Sequence, residues 1–220
     1  MMRTEQQQSP IWTLAFVAIL AVSLLVPLSA RSEPKAPQAA EFITTVTESA
    51  LQVLRDGDAS PDRRRRDLEH LLAQHFAMDR IGRFVVGAYW SRMSRDQQVR
   101  FQRLFKEWVA GYYSTRMTRY ADITVSVSGA TALPNGDEIV STRIAGPSVE
   151  QPLAIAWRVK RYDGAPKIID VIVEGISMVL VQKADFNAVL NKGGVDALLS
   201  ALDERLIAVS GPAVSAGNGH

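Results

Sequence analysis

The sequence predicts an α+β domain in which helices come first, pack on one face of a curved antiparallel sheet of about four strands, and are followed by helix again at the C-terminus. The first observation behind this is a change of period. Up to Tyr120 apolar residues recur three and four apart, as on one helix face, and from Ile123 they alternate, as on one sheet face. The second is that the alternating segments follow one another across short turns, Pro134-Asn135-Gly136-Asp137 and Tyr162-Asp163-Gly164, as antiparallel neighbours do. The third is an excess of apolar and aromatic surface over what these elements need against one another, which predicts an enclosed apolar cavity.

Composition narrows the function classes. With 47% hydrophobic and 22% charged residues, the 220-residue chain is ordinary for a globular protein and long enough for one substantial domain. It has no cysteine, which excludes a disulfide framework, a thiolate nucleophile and a cysteine metal site. The formal charge is +2 and stays so when Arg3 and Glu5 are removed with the first thirty residues, whereas a nucleic-acid platform needs a strongly basic face.

Residues 1–30 read as a cleaved secretory leader: Arg3, an apolar run from Ile11 to Val26 that is short for a membrane span, Pro27 as a breaker, then Leu28-Ser29-Ala30. Residues 31–38, with Pro34 and Pro37, read as a linker, residues 39–209 as a single domain, and residues 210–220 as a disordered glycine-rich tail.

Within the domain, Phe42, Ile43, Val46, Ala50, Val53 and Leu54 form the apolar stripe of a first helix that ends at Gly57. Ser60 followed by Pro61 is a helix start, because a serine side chain caps the free N–H groups and proline fits the first helical position. Leu68, Leu71, Leu72 and Phe76 supply its buried stripe. The run Arg63 to Arg66 points all around the axis among Asp62, Asp67 and Glu69, so it reads as a solvated face rather than a phosphate site. Met78 to Trp90 brings Phe84, Val85, Tyr89 and Trp90, more aromatic surface than a short helix packs for itself. Ser94 and Gln97 form a capping box that opens a long helix bearing Phe101, Phe105, Trp108 and Tyr112.

Strands follow at Ile123 to Ser128, Glu138 to Ile144 and Leu153 to Lys160, the last placing Trp157 and Val159 on one face and Arg158 and Lys160 on the other. From Lys167 the final strand places Ile169, Val171 and Val173 on one face, and Asp170 and Glu174 on a solvated opposite face. The apolar bridge Gly175 to Val181, which contains Ile176 and Met178, reads as facing the interior. Gly193-Gly194 interrupts it from a closing helix with Val195, Leu198, Leu199, Leu202 and Leu206.

Catalytic signatures are missing. His70 and His75 are five apart and point away from each other on a helix, and no H-E-x-x-H pattern exists, so no metal site is expected. Gly175-Ile176-Ser177-Met178-Val179 lacks the second glycine of a nucleophile elbow, and Ser177 reads as a cap. Asp170 and Glu174 stand about 13 Å apart along a strand, too far for a carboxylate pair.

The order D-V-x-V-E-G-I-S-M from Asp170, then Gln182-Lys183, Asp185-Phe186, a glycine pair and a Leu-Leu helix resembles the MlaC family of periplasmic phospholipid-binding proteins, including its hopanoid-biosynthesis-associated relatives. The segment Phe76 to Tyr120 looks like the middle helices of the same family, so the resemblance covers nearly all of the chain after the leader. It implies a cone-like fold and a monomeric periplasmic lipid carrier with no catalytic residue, no cofactor and no nucleic-acid partner. Such a carrier shuttles phospholipid between an inner-membrane ABC transporter complex and an outer-membrane lipoprotein complex. The expected lipid-binding residues are Phe84, Val85, Tyr89, Trp90, Phe101, Phe105, Trp108, Tyr112, Trp157, Val159, Ile169, Val171, Val173, Ile176 and Met178. An enzyme, or a hopanoid- or sterol-binding protein, built on the same cavity is the alternative, and a structural adaptor would use the bridge merely as core.

Overall fold

A computed structural model describes residues 36–117 and 120–210, so the expected leader, most of the expected linker and the tail beyond Ser210 lie outside the described residues. The chain divides into Met1–Glu33 and Pro34–His220, and the architecture below is that of the second unit. It is α+β. Helix α1 (Ala36–Arg55), α2 (Pro61–His75), α3 (Met78–Val86), a 3-10 turn (Gly87–Arg92) and α4 (Arg95–Met117) precede strands β1 (Thr124–Ala132), β2 (Glu138–Ala145), β3 (Leu153–Tyr162), β4 (Ala165–Val173) and the two-residue β5 (Ile176–Ser177). Helix α5 (Met178–Ser210) closes the chain. The sheet is a five-stranded antiparallel meander in the order β1-β2-β3-β4-β5, one short strand more than the alternation predicts.

Local chemistry explains most boundaries. The Ser60 side chain accepts from Arg63 N at 3.2 Å, and Pro61 takes the first position of α2. Before α4 the capping box forms in both directions: Ser94 Oγ accepts from Gln97 N at 3.2 Å and Gln97 Oε1 accepts from Ser94 N at 2.9 Å. The arginines of α2 meet acids close by in sequence, Arg63 with Asp56 and Asp67 and Arg65 with Asp62 and Glu69, as expected of a solvated face. Three boundaries differ from expectation, and one is the closing helix, expected only after Gly193-Gly194, which begins at Met178. Helix α1 begins at Ala36, so the last residues of the expected linker form its first turn, where Pro37 costs no hydrogen bond. The helix expected to continue to Trp90 stops at Val86, because Gly87 takes φ +55 and turns the chain into the 3-10 segment.

Three clusters make the core. Phe101, Phe105 and Phe186 lead the first, between α3, α4 and α5, with the Phe101 and Phe105 rings stacked at 5.7 Å and 15°. In the second, Ala39, Ile43 and Val46 of α1 lie on Val140, Val159 and Ile168 of the sheet. The third joins Leu51, Leu54, Leu68 and Ile123. The β1–β2 hairpin is held by Asp137, whose side chain is 1% exposed and pairs with Arg158 at 2.6 Å and Lys160 at 3.3 Å. Burial acts to raise that carboxyl, and the hydrogen bonds from Arg158 and Lys160 outweigh it and hold the group below the usual carboxylate range.

The end of the sheet departs from simple alternation. Arg158 pairs with Asp170 and Val159 with Ile168, so Ile169 is the extra residue of a β-bulge, and Ile168 takes the buried position expected of it. Glu174 (φ +47) and Gly175 (φ +81) then form a two-residue turn, with Ile172 paired to Ser177 and Val173 to Ile176. The bridge expected to face inward is therefore split. Ile176, Leu180 and Val181 are exposed, and Met178 and Val179 turn inside. Helix α5 is kinked at Gly194, where φ +71 and ψ −164 suit glycine alone, which fits the interruption read from the glycine pair.

Candidate lipid-binding cavity

The three clusters leave a cavity of about 340 Å³ between them, within the usual range for small-molecule pockets. Each element contributes the face that its periodicity turns inward. Helix α1 supplies Val46, Thr47, Ala50, Leu51 and Leu54, and α2 supplies Leu68, Leu71 and Leu72. Met78, Ile81 and Val85 come from α3, and Phe105, Trp108, Val109, Tyr113 and Met117 from α4. The sheet floors it with Val125, Ile144, Ile155, Trp157, Val171 and Val173, and the first turn of α5 adds Met178, Val179 and Gln182. Among the described residues, no lysine, arginine or histidine lines the cavity, and Asp170 is the acidic one.

The polar groups at this wall are mostly committed to the protein itself. Thr47 Oγ1 donates to the Ile43 carbonyl at 2.9 Å, and Trp157 Nε1 donates to Thr142 Oγ1 at 2.9 Å. Asp170 accepts from Ser177 Oγ at 2.6 Å and from Val179 N at 3.2 Å, while Ser177 Oγ accepts from Leu180 N at 3.0 Å. Asp170 and Ser177 thus cap α5 together. The solvated face expected for Asp170 is replaced by a helix cap, because the tight turn after Val173 folds the start of α5 back over β4. Desolvation by burial raises the Tyr113 hydroxyl above its ordinary value.

Of the residues expected to bind lipid, Val85, Phe105, Trp108, Trp157, Val171, Val173 and Met178 meet at this cavity. The others lie elsewhere, for separate reasons. Phe101 is fully buried in the helical cluster and Val159 lies under α1, both as close-packed core. Tyr89 and Trp90 pack on the outside of the helical cluster after Gly87 redirects the chain, with Tyr89 Oη donating to Asn191 Oδ1 at 2.9 Å. Tyr112 packs against Trp108 with its ring under Arg116, Ile169 sits in the bulge, and Phe84 and Ile176 are 47% and 58% exposed. The stripes of α1 and α2 line the cavity although the sequence presents them as ordinary core, since periodicity reports which face is covered and not by what. The sequence presents Gln182 only as part of the family-like order Gln182-Lys183, with no role at a site.

A model of the family described as MlaC protein matches residues 44–204. The intermembrane phospholipid transport system binding protein MlaC of Haemophilus influenzae is 23% identical over 136 residues, 60% of this chain, and the match spans 64% of that relative's own length. Among solved structures, a phospholipid-binding protein from Ralstonia solanacearum in complex with a phospholipid superposes with a TM-score of 0.68 at 22% identity, covering 78% of this chain and 98% of that one.

Proposed function

This chain belongs to the MlaC family, and on that premise we propose that it is a periplasmic carrier that holds the acyl chains of a phospholipid in the cavity and moves the lipid between membranes. The observation behind this reading is the cavity itself, walled by five helices and one sheet face with almost no polar group left free. A diacyl lipid has roughly thirty methylenes, and at about 0.8 kcal/mol each their exposure to water costs on the order of 20 kcal/mol. A carrier must therefore bury the chains in transit, and it needs shape rather than a reactive group. The acyl chains contact Val85, Phe105, Trp108, Trp157, Val171, Val173 and Met178, with the remaining aromatic residues of the helical cluster supporting that wall.

In this reading residues 1–30 direct export and are removed, and the domain 39–209 acts as a monomer. The relative from Haemophilus influenzae is named for an intermembrane phospholipid transport system, which supports docking at two membranes; the family resemblance implies an inner-membrane ABC transporter complex and an outer-membrane lipoprotein complex as the partners. The carrier performs no chemistry on its cargo. Native mass spectrometry of protein purified from its own periplasm, followed by lipid extraction, tests the reading. One phospholipid per chain is expected, and protein that is uniformly free of lipid overturns it.

A further inference from the structure

One polar group at the cavity wall has no partner in the protein. Gln182, in the first turns of α5, lines the cavity, and its amide Nε2 is buried without a hydrogen-bond partner. An N–H group buried in this way costs more than the net gain of a typical hydrogen bond, so a ligand that brings an acceptor to it recovers that loss. Of the other polar groups at the wall, Thr47, Trp157 and Asp170 are bonded within the protein, and Tyr113 is 40% exposed rather than buried. The last torsion of a glutamine side chain is soft, so the amide turns toward the void at little cost.

The wall also limits what the acceptor is. A phosphate or a free carboxylate would enter a cavity with no basic side chain among its described lining residues and with Asp170 already at its wall, and an unpaired buried anion is strongly disfavoured. A hydrocarbon brings no acceptor at all. An ester carbonyl is neutral, accepts a hydrogen bond, and sits at the head of an acyl chain.

We propose that Gln182 donates to an ester carbonyl of the bound lipid, so that the cavity selects esterified acyl chains over ether-linked or hydrocarbon lipids of the same shape. This rests on the carrier reading above and adds the linkage chemistry of the cargo. Delipidated full-length mature protein is loaded from an equimolar mixture of a diester phosphatidylethanolamine and its diether analogue with equal chains, and the bound fraction is read by native mass spectrometry. The wild type is expected to favour the ester about tenfold, which corresponds to about 1.4 kcal/mol. In Gln182→Leu, and in Gln182→Met, which keeps an unbranched side chain, the preference is expected to collapse toward unity while both lipids still load. Equal loading of ester and ether by the wild type overturns the inference and leaves the carrier intact, as does a preference that survives both substitutions. Loading of neither lipid by the wild type overturns the carrier reading and this inference with it.

Discussion

The Ser177 hydroxyl accepts from Leu180 N at 3.0 Å and donates to Asp170 Oδ2 at 2.6 Å, and Asp170 also takes Val179 N. These two side chains together satisfy N–H groups that the first turn of α5 leaves free, and the Asp170 carboxylate lies where the positive end of the helix dipole favours it. Ser177→Ala is expected to lower stability by about 1 kcal/mol, read as a lower urea midpoint with an unchanged slope, whereas Ser177→Asp, which keeps a capping oxygen but sets a second charge beside Asp170, regains only part of it. A midpoint equal to the wild type in Ser177→Ala would show that the cap contributes nothing. The cap role of Ser177 was legible because Gly175-Ile176-Ser177-Met178-Val179 lacks the second glycine of a nucleophile elbow. That of Asp170 was not, because its partner is created by a turn and not by the strand on which it sits.

At the scale of elements, β3 and β4 show the difference between core and cavity wall. Ile168 and Val159 are fully buried beneath α1, and two pairs further along the same ladder Val171 and Trp157 face the void. Val171→Trp therefore adds bulk where nothing is displaced except cargo. It is expected to unfold within a few degrees of the wild type while losing co-purified lipid, measured by thermal melting and lipid extraction. Overpacking a filled core costs typically 1–3 kcal/mol, so a clearly lowered melting temperature, or a full lipid complement, would contradict the placement of the cavity. Phe101, stacked on Phe105 and touching Phe186 and Trp90, is the contrasting case in which truncation to alanine should cost about 3–5 kcal/mol. Alternation in the sequence identified the correct face of β3 throughout. It failed on β4 at Ile169, since a bulge inserts one residue and shifts the parity of all that precede it.

The whole molecule carries a formal charge of +2, and two of the arginines of α2, Arg63 and Arg65, are paired with nearby acids. A basic residue near an anionic bilayer contributes about 1 kcal/mol, and salt screens exposed charges over about 8 Å at physiological strength. Mature protein is expected to sediment only weakly with vesicles containing phosphatidylglycerol at low salt, and not at all at about 0.15 M salt. Tight, salt-resistant sedimentation would mean that the protein attaches to a bilayer by itself and needs no docking complex. Among the described residues no helix is long and apolar enough to cross a membrane.

Periodicity, caps and turn residues determined the order of helices and strands, the antiparallel pairing and the inward faces of α1, α2, α4 and β3, because each depends on residues within a few positions of one another. The tertiary structure decided which inward faces meet each other and which meet a void. Phe101 and Phe105 belong to one helical stripe, yet one is core and the other lines the cavity. The same holds for Val159 and Trp157 on one strand face. That division arises where the helices diverge from the curved sheet, and it depends on contacts between residues as distant as Val46, Trp108 and Val171. A linear pattern records that a side chain avoids water, but the neighbour that replaces the water is chosen by the fold.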